Sequence, residues 1–253
     1  MKKQDLEEIQ VFISTSVIAP FYNIRLEKLS TLHLDNILKR KNPYLFKAKN
    51  IQTAEELVKY ILDAFLSSQE ETIFGNLMEN LAVHVCKMVY GGHKAEQGKY
   101  KSVDLIFEKE GKTFIVGIKS GPVWGNKDQV DKMVSNFIVA KNLLKSFTPN
   151  KIIAVNGCMY GKDNSPSKRT GKEQYYKYCG QEFWNLISGE EDFYQQIVIP
   201  IDKEAKMRDE SFKKMYFAKI NELTKDFSNG FLTENGQINW EEIVDFVSKK
   251  NNT

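Results

Sequence analysis

Cysteine is scarce in this chain. There are only three cysteines, Cys86, Cys158 and Cys179, and no two of them stand at CxxC spacing. Three cysteines cannot all pair, and zinc fingers need closely spaced ligands, so neither a disulfide framework nor a zinc finger is predicted. Buried or free thiols are the favoured interpretation. In the alternative interpretation, Cys158 and Cys179 form half of a metal site.

Long apolar runs are also missing. No stretch reaches the roughly eighteen residues that a membrane-spanning helix requires, and residues 1–8 turn acidic where a secretory signal would become apolar. We therefore expect a cytoplasmic protein without membrane contact. A glycine-rich phosphate loop, a nucleophile elbow and an HExxH motif are absent too, which argues against a small-molecule α/β enzyme.

The composition is that of a globular protein. The chain has 253 residues, 42% hydrophobic and 27% charged, which suits a packed core of one large or two smaller domains. Lysine and arginine number 36 against 33 acidic residues, a net charge of +3. Such a small excess permits nucleic-acid binding but does not require it.

Hydrophobic periodicity predicts an α/β protein. Thr53 and Glu56 stand at capping-box spacing before a first helix, and a second helix, two hairpin strands, a long helix from about Asn126 and a further strand follow. A strand, a crossover helix and a strand imply a parallel βαβ unit appended to an antiparallel hairpin. We thus predict a mixed sheet flanked by helices. The second helix is predicted at 70–89 and the strand after the crossover helix at 151–156. For the rest of the chain we predict a mobile loop at 161–178, a strand at 195–200 and helices at 206–227 and 240–248.

The hairpin brings an acid and a lysine together. Its turn is centred on Glu110-Gly111, so Asp104 on the first strand faces Gly117 on the second. Lys119 shares the face of Gly117 and lies diagonally across from Asp104. Hydrolysis of a phosphodiester requires a cation such as Mg²⁺, which is held by one or two carboxylates, and a nearby lysine can stabilise the developing charge. A structural ion pair is the alternative.

Three further features favour the catalytic interpretation. Lys119 ends the run 114–118, which is apolar on both faces as in a central strand, where a charge is costly unless it is used or paired. Residues 120–126 supply glycines and then a helix N-terminus, which favours an anionic ligand. Glu79 borders the apolar stripe of the preceding helix and could reach the sheet edge, or it could face solvent.

Several longer blocks resemble a known family. The order of helix, hairpin, crossover helix and strand resembles the PD-(D/E)xK nuclease superfamily, whose core is αβββαβ. Four blocks resemble the type II restriction endonucleases of the EcoO109I and PmaCI kind: Lys41-Asn42-Pro43-Tyr44-Leu45-Phe46-Lys47-Ala48-Lys49, Glu71-Thr72-Ile73-Phe74-Gly75, Ile118-Lys119-Ser120-Gly121-Pro122-Val123-Trp124-Gly125-Asn126 and Tyr178-Cys179-Gly180-Gln181-Glu182-Phe183-Trp184. The resemblance spans roughly residues 30–247.

The resemblance implies a Mg²⁺-dependent, homodimeric endonuclease that cuts duplex DNA at a short palindrome, with a cognate DNA methyltransferase as its genetic partner. It makes Asp104 the aspartate and Lys119 the lysine of the motif. The second acid of the motif should stand at 117, which is glycine. We expect Glu79 to replace it, in the room left by Gly117, and the Ile118 carbonyl to join Asp104 and Glu79 as metal ligands. Glu96 is a weaker substitute, and loss of catalysis is the alternative.

Polar residues beside this motif are predicted to contact DNA. They are Ser120, Trp124, Asn126, Lys127, Gln129, Lys132, Lys162, Lys168, Arg169 and Lys172. We expect an N-terminal helical region at 1–68, for dimerisation or DNA contact, a nuclease core at 69–200 and a C-terminal helical region at 201–253 packed on that core. The rival interpretations are a catalytically inactive DNA-binding protein and a repair or modification-dependent nuclease of the same fold.

Overall fold

The protein is built from ten α-helices and a mixed β-sheet within the part of the chain that the structure describes. The structure is a computed structural model that describes the backbone of residues 3–169 and 172–250, and the side chains of residues 5–164 and 175–250. The helices are α1 (Lys3–Phe12), α2 (Ala19–Ser30), α3 (Leu34–Leu38), α4 (Pro43–Ala48), α5 (Ala54–Tyr90), α6 (Lys127–Leu144), α7 (Gln181–Ser188), α8 (Phe193–Gln196), α9 (Val198–Phe231) and α10 (Trp240–Ser248). A π-helical segment, Ile13–Ile18, joins α1 to α2.

The sheet has six strands in the order β1-β2-β3-β4-β6-β5. The strands are β1 (His93–Lys94), β2 (Leu105–Lys109), β3 (Lys112–Lys119), β4 (Lys151–Cys158), β5 (Ser165–Arg169) and β6 (Lys172–Cys179). β3, β4 and β6 run parallel, whereas β1, β2 and β5 are antiparallel to their neighbours. The predicted mixed α/β sheet flanked by helices is confirmed.

The β2–β3 hairpin has the predicted register. Leu105 pairs with Val116 and Lys109 with Lys112. Both turn residues adopt the left-handed conformation, with φ of 51° at Glu110 and 67° at Gly111. Positive φ at both central positions is the geometry of a type I′ turn, whose twist matches that of the two strands. The turn therefore fixes which residues of β2 and β3 face each other.

The crossover from β3 to β4 is also as predicted. Asn126 caps α6, and α6 leads into β4, which pairs in parallel with β3. The buried side of α6 consists of Met133, Val134, Phe137, Ala140 and Leu144. Ile138 is apolar but 48% exposed, because the helical spacing brings Ala140 inward instead.

Two predictions about the second half of the chain were wrong. Residues 165–169 and 172–179 form the β5–β6 hairpin and not a loop, because β6 pairs with β4 and extends the sheet. Residues 195–200 are not a strand: they end α8, turn at Ile197 and begin α9. Ile197 is buried, while its apolar neighbours Val198 and Ile199 are exposed. Pro200 stands in the first turn of α9, where its missing N–H costs little.

Helix boundaries were the other source of error. Thr53 accepts the Glu56 amide at 3.2 Å and starts α5 as predicted, but α5 runs unbroken to Tyr90 and does not divide near residue 68. The segment 66–70 has no glycine or proline to end a helix. Similarly, α9 extends the helix predicted at 206–227 to Val198–Phe231, and α10 follows as predicted.

The chain divides into two compact units. The first comprises Met1–Ile18 and Gly75–Glu204 and contains the sheet. The second comprises Ala19–Phe74 and Ala205–Thr253 and is helical, apart from a bridge between Leu232 and Ile238. Within the second unit the buried Lys219 donates to the carbonyls of Ser30 and Leu32 at the end of α2 and pairs with Glu222. These carbonyls would otherwise be unpaired groups at a helix terminus.

Candidate active site

Asp104 stands just before β2, where the regular strand pairing ends. Its backbone amide donates to the Val116 carbonyl at 2.8 Å, and its carboxylate oxygen Oδ2 accepts the Ile118 amide at 2.7 Å. The side chain thus takes the place of a backbone carbonyl in the ladder. A carboxylate held by a backbone amide of the neighbouring strand has a fixed position at the end of β3.

The Ile118 peptide is turned toward the same place. In an extended strand the amide and the carbonyl of one residue point to the same edge. Because the Ile118 amide meets Asp104, the Ile118 carbonyl points to that edge as well. The predicted metal ligands Asp104, just before β2, and Ile118, on β3, are therefore next to each other.

Several charges act on Asp104. Burial raises the pKa of the Asp104 carboxyl, the hydrogen bond from Ile118 opposes that rise, and the negative charge of Glu79 adds to it. The positive charges of Lys119 and Lys94 lower the same pKa, and the net result is a raised value. Both residues predicted to act with Asp104, Glu79 and Lys119, are thus close enough to interact with it electrostatically.

Glu79 lies on the side of α5 that meets the sheet. Its carboxylate oxygen Oε1 is 3.1 Å from the Nζ of Lys94 on β1, and the Glu79 side chain is 21% exposed. One helical turn earlier, Gly75 lies against Ser120, because a Cβ on Gly75 would stand 2.8 Å from the Ser120 Oγ. Residues four apart share one face of a helix. The close approach at Gly75 therefore brings the face with Glu79 toward the end of β3.

Position 117 has no space for a side chain. A Cβ built on Gly117 would stand 2.6 Å from the Ser102 carbonyl oxygen and 3.2 Å from the Phe137 ring. Ser102 adopts a left-handed φ of 60°, and its hydroxyl accepts the Asn136 side-chain amide from α6. The expectation that Gly117 leaves room for the Glu79 carboxylate was wrong, since the Ser102 carbonyl and Phe137 occupy that side. An acid at 117 would require the segment before β2 to move.

Lys119 ends β3 beside an aromatic ring. Its Nζ lies 5.3 Å from the centre of the Trp124 ring, and Trp124 packs on the buried cluster that contains Phe137. A cation over an aromatic face is stabilised by the ring quadrupole. The half-buried ammonium is thereby held at the end of the strand, on the face that Gly117 shares.

The other predicted contact residues fall into three groups. Asn126 and Gln129 form a capping box, in which each side chain accepts the backbone amide of the other. Lys127, Lys132 and Lys162 are exposed. Lys168 and Arg169 belong to β5 and Lys172 to β6, and their side chains lie outside the described residues. Their contacts with DNA remain predictions.

Three site residues were not found from the sequence. Lys94 pairs with Glu79, but an exposed lysine in a two-residue strand gives no pattern to recognise. Lys177 on β6 donates to the Pro122 carbonyl at 3.0 Å and pairs with Asp163, which fixes the segment after Lys119. Asn156 on β4 is in register with Gly117 and 3% exposed, and its Oδ1 has no hydrogen-bond partner.

Cysteine does not contribute to this site as a ligand set. Cys158 on β4 and Cys179 on β6 are neighbours in the strand register. All three cysteines are buried, and none forms a disulfide. Burial and the neighbouring Cys179 raise the pKa of the Cys158 thiol to about 12, which disfavours the thiolate that a metal would need. Among the described residues, no group of three or more His, Cys, Asp or Glu side chains is arranged to hold a metal ion.

The sequence was compared with known protein families and with curated proteins. The family model of the type II restriction endonuclease EcoO109I matches residues 7–209, which is most of the chain. This chain belongs to the EcoO109I family of type II restriction endonucleases. The comparison with curated proteins finds no match.

Membership in the EcoO109I family agrees with the sheet and with the predicted resemblance. The family implies a nuclease that binds DNA. In the part of the chain described here, no helix is both long enough and apolar enough to cross a membrane. The arrangement of Asp104, Ile118, Glu79 and Lys119 at the end of β3 is accordingly the candidate active site of an EcoO109I-family enzyme.

Proposed function

We propose that this protein is a Mg²⁺-dependent endonuclease that hydrolyses phosphodiester bonds of duplex DNA at a short palindromic site. The proposal rests on the position of the Asp104 carboxylate, which accepts a hydrogen bond from the Ile118 amide and interacts electrostatically with Glu79 and Lys119. This combination of charges in a chain of a restriction-endonuclease family supports metal-assisted hydrolysis.

The donor set suits Mg²⁺. Asp104, Glu79 and the Ile118 carbonyl offer hard oxygen ligands, and Mg²⁺ is usually held by one or two carboxylates with water completing its shell. Burial and the negative charge of Glu79 raise the pKa of the Asp104 carboxyl, so a cation bound beside Asp104 would favour its charged form. When bound, the metal would polarise a phosphoryl oxygen and activate a water.

Lys119 has a separate role in this proposal. Its ammonium orients the attacking water and stabilises the negative charge that develops on the phosphorus oxygens. The contact with Trp124 keeps that ammonium at the strand end in the absence of DNA. The exposed Lys127, Lys132 and Lys162, and the residues Lys168, Arg169 and Lys172, would contact phosphates or base edges.

We also propose that the enzyme is a cytoplasmic homodimer with a cognate DNA methyltransferase as its genetic partner. A palindromic site presents the same surface twice, which a two-fold symmetric dimer can match. In the proposed division, residues 1–68 serve dimerisation or DNA contact, residues 69–200 form the nuclease core and residues 201–253 pack on it.

The direct test is incubation of the purified protein with unmethylated phage DNA. Discrete fragments with defined ends are expected in Mg²⁺ or Mn²⁺, specific binding with little or no cutting in Ca²⁺, and no cutting in EDTA. Binding without cutting in every metal would indicate the catalytically inactive protein that Gly117 favours. Cutting of modified DNA alone would indicate a modification-dependent nuclease.

The role of Glu79 is tested by replacement with Gln. We expect Glu79→Gln to cut at least about a hundredfold more slowly, a barrier increase of roughly 2.7 kcal/mol, and to need more Mg²⁺. The matched control is Glu71→Gln, which makes the same change at an exposed glutamate of α5 and keeps the Glu79 carboxylate. Unaltered cutting by Glu79→Gln would remove Glu79 from the site.

A further inference from the structure

Lys94 is a charged residue at the candidate site that the proposed mechanism does not use. It ends β1 and pairs with Leu105, the residue after Asp104. Its Nζ lies 3.1 Å from the Glu79 Oε1 and 3.5 Å from the Asn80 Oδ1. The Lys94 ammonium thus binds a carboxylate that we propose as a metal ligand.

The same ammonium also acts on the second carboxylate. The positive charge of Lys94 lowers the pKa of Asp104, whereas the charge of Glu79 raises it. Two carboxylates that repel each other need a nearby positive charge. In the metal-free protein, Lys94 and Lys119 supply that charge, and Lys94 does so in direct contact with a carboxylate oxygen.

A metal ion and this ammonium would compete for Glu79. Both are attracted to the same carboxylate, and they repel each other when both are close to it. The Lys94 side chain is 47% exposed, and exposed ion pairs are weak because water solvates the released ammonium. The pair can therefore open without a large penalty.

We propose that Lys94 is a positioning residue that holds Glu79 next to Asp104 in the metal-free protein and releases Glu79 when the metal binds, so that Lys94 sets the metal affinity of the site. The inference rests on the proposed function, since it assumes that Asp104 and Glu79 bind a divalent cation. The direction of the change in metal affinity distinguishes the two roles. Removal of a purely structural lysine would weaken metal binding, whereas removal of a competing lysine would strengthen it.

The experiment measures Mn²⁺ binding to the full-length, metal-free protein by the electron paramagnetic resonance signal of free Mn²⁺. Lys94→Gln should bind Mn²⁺ roughly three- to tenfold more tightly than the parent, because a competing charge is gone. Lys151→Gln removes an exposed lysine at the start of β4, at the opposite end of the β3–β4 pair from Lys119. It should stay within about twofold because distant charges are screened. Lys94→Arg keeps the charge and should not tighten binding.

The design separates the two proposals. Asp104→Asn should abolish the high-affinity Mn²⁺ site, and in a Glu79→Gln background the Lys94→Gln gain should disappear. If the parent binds Mn²⁺ through Asp104 but Lys94→Gln binds equally or more weakly, the competition is refuted and the proposed function stands. If no variant shows binding that depends on Asp104, the metal site itself is refuted, and the role of Lys94 with it.

Discussion

The geometry at Gly117 explains why an acid of the usual motif is absent from this chain. The Ser102 carbonyl stands where a Cβ would be, and Ser102 is held by the Asn136 side chain. The motif position is therefore closed by the backbone and is not merely vacant. In the proposed metal site a carboxylate from another element takes that place, and Glu79 on α5 is the acidic residue whose charge acts on Asp104.

Replacing Gly117 by alanine should destabilise the protein. The added methyl would overlap the Ser102 carbonyl, a backbone atom that cannot rotate away, so we expect a loss of roughly 1–3 kcal/mol in the free energy of unfolding. Urea denaturation measures this loss. The control is Gly98→Ala, where a Cβ meets nothing within 4 Å. Equal stability of Gly117→Ala and the parent would mean that position 117 can accept a side chain after all.

The raised pKa of Asp104 predicts how stability changes with pH. Burial makes the folded protein bind the Asp104 proton more tightly than the unfolded chain does. The contribution of Asp104 to stability is thus fully present below its unfolded pKa and is lost as the pH rises through the folded pKa. Without metal, Asp104→Asn should melt at a higher temperature than the parent near pH 8, and this advantage should vanish below about pH 4.

Thermal unfolding in EDTA across this pH range is the measurement. Glu96→Gln is a suitable control, because it removes an exposed carboxylate from the same unit. A parent protein that is more stable than Asp104→Asn near neutral pH would contradict the burial account. That result would mean that the Ile118 amide, Lys119 and Lys94 together outweigh the burial of the carboxylate.

Within single helices and strands, local sequence signals predicted the candidate site better than the elements around it. The turn residues Glu110 and Gly111 fixed the β2–β3 register, and the register placed Asp104 beside Ile118 and Lys119. The β5–β6 hairpin was missed because its pairing depends on β4, which is distant in sequence. The close approach at Gly117 could not be foreseen, since it depends on the left-handed conformation of Ser102.

Helix α6 offers a test of what Asn126 does. Its side chain caps the helix by accepting the Gln129 amide at 3.0 Å, so Asn126→Ala should lower the free energy of unfolding by about 1 kcal/mol. Asn126→Ser keeps a capping oxygen and should retain most of the stability.

The same variant tests the predicted DNA contact of Asn126. If Asn126→Ser is stable but binds DNA more weakly, the predicted base contact gains support. If Asn126→Ala is as stable as the parent, the cap contributes nothing.

The sheet and the candidate site lie in one of the two compact units of the molecule. The unit that contains residues 75–204 includes all six strands, Asp104, Lys119, Glu79 and Lys94. The sequence predicted a nuclease core at 69–200. A single sequence cannot indicate where one compact unit ends and the next begins when the helices that connect them are unbroken. Both α5 and α9 continue past the unit boundaries.

In the proposed function, metal-dependent cleavage of DNA requires the Asp104 carboxylate. The most direct measurement compares the parent and Asp104→Asn on a duplex that contains the mapped site, with cleavage rates in Mg²⁺ and binding in Ca²⁺. Asn can still accept the Ile118 amide, so the fold and DNA binding should persist while the metal loses a charged ligand. We expect the cleavage rate to fall by at least about a hundredfold with binding unchanged. Cleavage by Asp104→Asn within about tenfold of the parent would show that the Asp104 carboxylate is not needed for cleavage.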